Sequence, residues 1–286
     1  ADKLGRGCVW QGQIEPCLHQ NHIFAVRTDR TCLLPEFLSL YAASASGRSY
    51  FLECAKQTTN LASVNSSQLK DFPVAIPPLG EQRKITAILS SVDDAIQTTQ
   101  AVIDQLGVVK KALMAELLTR GIPGRHTKFK QTEIGEVPEG WEVVRVSELC
   151  SVITKGATPA AQTRDKGEVP FLKVYNIDPG GYLDFSYQPS FIPRSVHNSE
   201  LNRSRIFPED VLMNIVGPPL GKVAVVPLDF PESNINQAIA VFRPTRVEAQ
   251  FLAVCLTAPK LFGWALSRAK RTSTQLNLTL ELCRDY

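Results

Sequence analysis

The sequence lacks most of the features that a membrane-bound or catalytic protein requires. No run of 18 apolar residues is present, so no membrane-spanning helix is expected. The seven cysteines are scattered without a CxxC pair, which argues against a disulfide framework or a zinc site. There is no glycine-rich phosphate loop and no Asn-Pro-Pro-aromatic motif, and the four histidines lack metal-ligand spacing. We therefore expect a reduced cytoplasmic protein with no cofactor, no metal site, no catalytic residues and no membrane partner.

Composition and charge are those of an ordinary folded protein. Of the 286 residues, 44% are apolar and 21% are charged, and the length suffices for two domains. The net charge of +3 permits a nucleic-acid partner without requiring one, because local clusters of charge decide such binding.

A long segment in the middle of the chain predicts a single helix over residues 77–120. Pro77-Pro78 end any secondary-structure element that precedes them, and from Glu81 to Arg120 the only glycine is Gly107. Apolar residues recur at heptad spacing, which predicts pairing with a second long helix; the alternative is a surface helix on a compact domain. The residues expected on this pairing stripe are Ile85, Ile88, Val92, Ala95, Ile96, Val102, Leu106, Val109 and Leu113.

The segments on either side of the predicted helix repeat each other. Tyr50 aligns with Trp264, and Asp71-Phe72 aligns with Asp285-Tyr286, at one constant offset. A repeat longer than fifty residues indicates a duplicated domain. Upstream of this register the resemblance is weaker. In the first copy the apolar runs 8–10, 23–26 and 69–76 predict strands.

The two copies are not equally complete. Residues 132–220 have no counterpart before Gly5, and the second copy stops where a second long helix should follow. The expectation is a fragment or a rearranged product of a longer tandem of domain, helix, domain and helix.

Several polar and basic clusters suit contact with DNA. Phosphates are bound by lysine, arginine and hydroxyl groups, and base edges by Arg, Lys, Asn and Gln. The candidate DNA-contact residues are Arg268, Lys270, Arg271, Thr272, Thr274 and Gln275 near the C-terminus, Lys56 and Thr58 at the matching place in the first copy, Lys155, Gly156 and Thr158 in a loop, and Lys173, Tyr175 and Asn176 after a strand. Each cluster also fits a plain structural role: a solvated helix end, an ordinary turn, and a strand end with an exposed lysine.

Specific motifs resemble those of the specificity subunits of type I restriction–modification systems. Pro77-Pro78-Leu79 with Glu81-Gln82-Arg83-Lys84-Ile85 resembles the entry to their central spacer helix. Residues 117–121 and 134–141 resemble the approach to the second target recognition domain, and residues 19–24 and 236–239 resemble matching strands of the two recognition domains. No single motif is diagnostic, but their order, spacing and duplication are specific.

The resemblance implies an α/β (α+β) fold in a tandem arrangement. Residues 1–76 would be the C-terminal part of a first target recognition domain, 77–120 the coiled-coil spacer helix, and 121–286 a second recognition domain. It also implies a non-catalytic subunit that directs methyltransferase and endonuclease subunits to a split site in double-stranded DNA, with the helix acting as a ruler. Gln82, Arg83, Lys110 and Lys111 would face the methyltransferase or be merely solvated, and the helix could mediate self-association. The alternative is a coiled-coil scaffold or an inactive remnant that does not bind DNA.

Overall fold

A computed structural model describes residues 5–20, 23–57, 62–159, 163–164, 167–271 and 276–286. Two compact units divide the chain, Ala1–Gln105 and Leu106–Tyr286, and the boundary between them falls inside one long helix. Helices and sheets are mixed, in agreement with the predicted α/β (α+β) class.

The first unit consists of short helices around a cluster of aromatic rings. In chain order its elements are α1 (Pro35–Ala43), α2 (Ala45–Cys54), β1 (Lys56–Gln57), β2 (Ala62–Ser63), α3 (Ser66–Lys70) and the first part of α4 (Leu79–Arg120). The Ser44 hydroxyl caps α2 by accepting a hydrogen bond from the backbone N–H of Gly47. The Phe72 ring lies 4.7 Å from the buried Phe51 ring and 5.2 Å from the Tyr50 ring, measured between centroids. This cluster fixes α2 against the segment that leads to α4.

The long helix predicted for residues 77–120 is confirmed. Helix α4 has 42 residues, which corresponds to a length of about 63 Å at 1.5 Å per residue. Its entry is fixed by Gln82, which is wholly buried. The Gln82 amide donates to the carbonyl oxygens of Cys32 and Pro77, both at 2.8 Å, and accepts from the N–H of Leu34 at 2.9 Å. Gln82 therefore anchors the helix start to the entry of α1, and the expectation that it faces a partner is wrong.

The described part of the second unit contains two larger sheets, two two-stranded sheets and three helices near its C-terminus. In chain order its elements after α4 are β3 (Phe129–Thr132), β4 (Gly135–Pro138), α5 (Val146–Leu149), β5 (Cys150–Lys155), β6 (Thr163–Arg164), β7 (Val169–Leu172), β8 (Ser190–Ile192), α6 (Arg194–Asn198), β9 (Arg205–Ile206), β10 (Val211–Asn214), β11 (Val223–Val225), β12 (Ser233–Ile235), β13 (Ile239–Pro244), α7 (Ala249–Thr257), α8 (Pro259–Arg268), β14 (Lys270–Arg271), β15 (Leu276–Asn277) and α9 (Leu280–Asp285). Short 3-10 turns cover Val174–Asn176 and Asn202–Ser204.

The two larger sheets share one core. The four-stranded sheet has the order β11-β10-β13-β5, with every neighbouring pair antiparallel. The five-stranded sheet has the order β6-β8-β7-β12-β9, and in it β7 and β12 run parallel.

Alternating side chains of the four-stranded sheet enter two different hydrophobic clusters. Val211 and Met213 of β10 pack with residues of α7, α8 and α9, whereas Leu212 packs towards the five-stranded sheet. On β13, Phe242 faces the helices and Val241 faces the other sheet. Because successive side chains of a strand point to opposite faces, the helices cover one face of the sheet and the second sheet covers the other.

The predicted repeat is confirmed as a repeat of structure. Helix α1 and helix α7, α2 and α8, and the hairpins β1–β2 and β14–β15 have bounds that differ by 214 residues throughout. Asn65 caps α3 and Thr279 caps α9 through the same type of hydrogen bond. In each case the capping side chain accepts from the backbone N–H three residues further along the chain. The Trp264 and Tyr286 rings, 6.1 Å apart, occupy the places of Tyr50 and Phe72.

Three strands predicted in the first copy are wrong. The described parts of residues 5–34 contain no strand, and residues 71–78, which follow α3, contain none either. In the second copy the matching strands β11 and β13 pair with β10 and β5, whereas the described residues before α1 include no counterpart of those partners. An apolar run forms a strand only where a neighbouring strand accepts its hydrogen bonds.

No single helix among the described residues is long and apolar enough to cross a membrane, although α7 and α8, bent by 62°, reach that apolar length as a pair.

We predict that Asp210→Ala lowers the free energy of unfolding by about 3 kcal/mol, because it leaves a largely buried arginine without its partner. Asp210 is fully buried, and both of its carboxylate oxygens accept hydrogen bonds from the Arg243 guanidinium at 2.7 Å. Urea denaturation of the whole chain measures the effect. Asp285→Ala, which breaks the exposed 3.3 Å ion pair with Arg145, should cost less than about 1 kcal/mol. Equal losses in the two variants would contradict this assignment.

Candidate nucleic-acid interface

Three strand ends meet at one edge of the four-stranded sheet. Lys155, the last residue of β5, pairs with Ala240, and Asn214, the last residue of β10, pairs with Ile239. Just beyond the strands, the N–H of Gly156 donates to the carbonyl of Ile239 at 3.2 Å. The loop after β5, the start of β13 and the loop after β10 therefore lie side by side.

The five-stranded sheet delivers a further segment to the same edge. Since β7 and β12 are parallel, the residues that follow them emerge together. The N–H of Asn236 donates to the carbonyl of Leu172 at 3.0 Å, so Lys173 begins its loop beside Asn236. Asn236 in turn belongs to the short connection between β12 and β13, which joins this segment to the sheet edge described above.

The C-terminal hairpin β14–β15 lies beside the loop after β10, at the same edge of the sheet. The N–H of Gly217 donates to the carbonyl of Leu276 at 3.4 Å, and the N–H of Leu278 donates to the carbonyl of Ile215 at 2.9 Å. Lys270 and Arg271, on the partner strand β14, are both exposed. We call the surface formed by residues 155–159, 173–188, 217–222 and the hairpin β14–β15 the loop face.

The loop face brings together three clusters that the sequence analysis proposed separately. Lys155 and Thr158 are exposed on it, and Lys173 and Tyr175 are partly exposed. Thr272, Thr274 and Gln275 lie outside the described residues, between β14 and β15, and Thr58 likewise lies outside them in the first copy. Lys56 is in β1 of the first unit, the strand that corresponds to β14. No observation tests whether any of these residues touches DNA, so their contacts stay predictions.

Arg268 is held by its own helix. Its guanidinium lies 4.6 Å from the centroid of the Trp264 ring, and its Nη1 donates to the Trp264 carbonyl at 3.4 Å. This geometry fits the structural alternative, in which a cation at a helix C-terminus offsets the helix dipole.

Gly156 is required by packing within the protein. A Cβ atom at this position would lie 2.0 Å from the carbonyl oxygen of Ile235 and 2.4 Å from that of Asn236. Gly156 was predicted from the sequence as a DNA-contact residue in a loop, and the group that approaches it within the protein is the β12–β13 connection.

Residues 173–188 form a compact loop, which we call the recognition loop. Its centre is Asn176, whose buried side chain accepts from the N–H of Lys173 at 2.9 Å and donates to the carbonyls of Asp184 and Tyr187 at 2.9 and 2.8 Å. Asn176 therefore holds the loop together from inside, in the structural role that the sequence analysis left open.

The recognition loop presents aromatic side chains outward. Tyr182 is 60% exposed and Tyr187 is 53% exposed. The Tyr187 ring packs edge to face against Tyr175, with centroids 5.8 Å apart. The Asp178 carboxylate raises the pKa of the Tyr182 phenol, chiefly through its negative charge and also by accepting a hydrogen bond from the phenol O–H.

The sequence analysis missed the residues that organise the loop after β10. Asn214 is fully buried and donates to the carbonyl of Pro219 at 2.9 Å, while accepting from the N–H of Lys222 at 3.0 Å. Lys222 then donates from Nζ into the recognition loop. An asparagine and a lysine around Gly217-Pro218-Pro219 are a weak signal in sequence, because only the strand pairing shows what they face.

The pairing stripe of α4 is solvent-exposed along most of its length. Ile88 is 64% exposed, Ile96 61% and Leu106 60%. Of the nine residues expected on the stripe, only Ile85 is partly buried. The described residues thus show the stripe without a helical partner, and pairing stays a prediction.

A duplicated helical module, a long helix and a domain whose loops converge at one edge define a tandem arrangement of related units. Among the described residues, no cluster of side chains could hold a metal ion. The family model for the type I restriction modification DNA specificity domain matches residues 11–107 and 138–282. The chain belongs to this family.

Two relatives agree with this assignment, and one solved structure shares the fold. The chain is 32% identical over 79% of its length to a Methanocaldococcus jannaschii protein described as the type I restriction enzyme MjaX specificity subunit, and 24% identical over 86% of its length to the EcoBI specificity subunit of Escherichia coli. These matches cover 51% and 52% of the two relatives, so the chain spans about half their length. A chain solved in work on assembly and conformational transition of the type I R-M system shares the fold, with a TM-score of 0.51 and 20% identity, over 91% of this chain and 60% of that one.

We predict that Gly156→Ala destabilises the second unit by about 1–3 kcal/mol, because the added methyl group collides with two backbone carbonyls. Gly263→Ala is the matched control: it lies within α8, nothing is within 4 Å of its Cβ position, and alanine there should stabilise the helix by up to about 1 kcal/mol. Thermal unfolding followed by circular dichroism separates the two, and a neutral Gly156→Ala would refute the packing argument.

Proposed function

We propose that this chain is the sequence-specific DNA-recognition subunit of a type I restriction–modification complex. The observation that carries the proposal is the convergence of Lys155, Lys173, Lys270 and Arg271 on the loop face of one domain. Family membership supports it independently. The chain itself would catalyse no reaction, and methyl transfer and cleavage would belong to the partner subunits.

The loop face has the groups needed to bind double-stranded DNA. Lys155 at the end of β5 and Lys270 and Arg271 on β14 are exposed cations, suited to phosphate oxygens. The recognition loop adds exposed tyrosine rings and the Lys173 side chain, and Gln237 is exposed beside it. In this proposal the cations set affinity and register, while the recognition loop reads base edges.

The long helix supports the second part of the proposal. Its exposed stripe would pair with another long helix, and the pair would fix the distance between two half-sites. The methyltransferase subunits would dock on the spacer region, with Arg83, Lys110 and Lys111 exposed for that contact. The endonuclease subunit would join through the assembled complex.

One observation favours the alternative of an assembly scaffold. In the first unit the segment before α1 exposes Trp10, Ile14, Ile23 and Phe24 and forms no strand in its described residues. Apart from the hairpin β1–β2, the first unit therefore lacks a described counterpart of the loop face. If the second unit also failed to bind DNA, the exposed helix stripe would leave assembly as the function.

We predict that Lys270→Ala and Arg271→Ala each weaken DNA binding to a similar degree for all sequences. Removing one phosphate contact should reduce the slope of log affinity against log salt by about one. Fluorescence anisotropy with duplex DNA at several salt concentrations measures both quantities.

Lys130→Ala is the control for these variants, because Lys130 is exposed on β3 and belongs to no element of the loop face. Its affinity and salt slope should match those of the wild type. Unchanged binding in both hairpin variants would remove β14 from the interface.

We predict that Leu106→Pro abolishes helix pairing, because a proline inside a helix costs about 3 kcal/mol and interrupts the stripe. Leu106→Ala, which keeps the helix and trims one exposed side chain, should have a much smaller effect. Light scattering and co-purification with the cognate methyltransferase subunit measure the outcome. A Leu106→Pro chain with unchanged assembly would rule out the proposal that paired long helices fix the distance between half-sites.

The test of the whole proposal is co-expression with the cognate methyltransferase subunit, followed by mapping of methylated bases in genomic DNA. A split motif supports bipartite recognition. A single or palindromic half-motif means that one recognition domain reads DNA, in a dimer. The absence of any complex and motif favours the scaffold.

A further inference from the structure

Lys222 joins the two sheets of the second unit through its side chain. It immediately precedes β11 of the four-stranded sheet, and its Nζ donates to the carbonyls of Val174 and Ile177, both at 2.6 Å. Those two carbonyls belong to the first turn of the recognition loop, which follows a strand of the other sheet. Such charge-assisted hydrogen bonds are short and strong.

The charge of Lys222 is directed into the protein. Its side chain is only partly exposed, and burial lowers the pKa of the ammonium while the nearby Asp178 carboxylate opposes that shift. Its backbone is held as well, because the N–H of Lys222 donates to the buried Asn214 side chain at 3.0 Å. Two of its three N–H donors are thus committed to backbone carbonyls, which makes Lys222 unlike the exposed Lys155 on the same face.

We propose that Lys222 is a positioning residue for DNA reading, which fixes the recognition loop against the four-stranded sheet by bonding the carbonyls of Val174 and Ile177. Its contribution is to discrimination between sequences and not to phosphate binding. The proposal rests on the proposed function, because it assumes that the loop face reads DNA.

The physical reason is that base readout depends on exact placement, whereas phosphate attraction does not. A loop that moves by a fraction of an ångström loses aligned hydrogen bonds to base edges, but nearby cations still attract the duplex. Loss of a phosphate-binding lysine reduces the salt slope by about one and weakens all sequences alike. Loss of a positioning lysine should instead leave the salt slope unchanged and reduce the preference for the correct site.

The experiment uses the full chain in complex with its methyltransferase subunit. Selection from random duplex DNA first defines the wild-type motif, and then anisotropy compares selected with scrambled duplexes across a salt series. The variants are Lys222→Met, which keeps the aliphatic stem without donors, Lys155→Met as the phosphate-contact comparison, and Lys130→Met as the neutral control. For Lys222→Met we expect about a tenfold loss of discrimination with an unchanged salt slope.

Urea denaturation checks that the variants are folded. If Lys222→Met does not fold, Lys222→Gln replaces it, because glutamine keeps N–H donors but is shorter and uncharged. The same loss of discrimination is expected for Lys222→Gln. A Lys222 variant that is folded and keeps wild-type discrimination overturns the inference alone. A Lys222 variant that behaves like Lys155→Met, with a lower salt slope and an intact preference for the selected duplex, also overturns the inference. A wild-type complex that selects no motif overturns the proposed function as well.

Discussion

Strand β13 is the element on which the second unit depends. It pairs with β10 on one side and β5 on the other, and its residues Ile239 to Phe242 are completely buried. Every backbone group of a buried strand must find a partner, so the three strands are fixed in one register. That register places the ends of β5 and β10 close to each other, so the loops that follow these strands also lie side by side.

The loop face is a consequence of this pairing, reinforced by two buried asparagines and by the partly buried Lys222. Asn176 organises the recognition loop from inside, Asn214 organises the loop after β10, and Lys222 links the two. Buried polar groups of this kind are costly unless satisfied, and once satisfied they specify a single arrangement. Rigid placement is what a surface needs in order to distinguish base sequences by hydrogen-bond geometry.

The duplicated module shows how the same local sequence behaves in different surroundings. Helices and hairpins of the two copies coincide at an offset of 214 residues, because their caps and aromatic contacts are local. Yet Phe37 of α1 is 6% exposed, whereas its counterpart Phe251 of α7 is 54% exposed. The module therefore folds in either place, while the burial of its outer face depends on what each unit packs against it.

The sequence by itself determined the long helix and the duplicated module, because heptad spacing, prolines and aligned aromatic residues can be read directly along the chain. The resemblance of its motifs to those of type I specificity subunits indicated the family. The sequence also identified Lys155, Lys173 and Lys270 as candidate contacts. Only the tertiary structure decided that these lie on one face, that Gly156 and Asn176 serve packing, and that residues 8–10 and 23–26 form no strand. Strand formation and convergence of loops depend on partners distant in the sequence, and the register that joins those partners is set by the burial of the sheet as a whole.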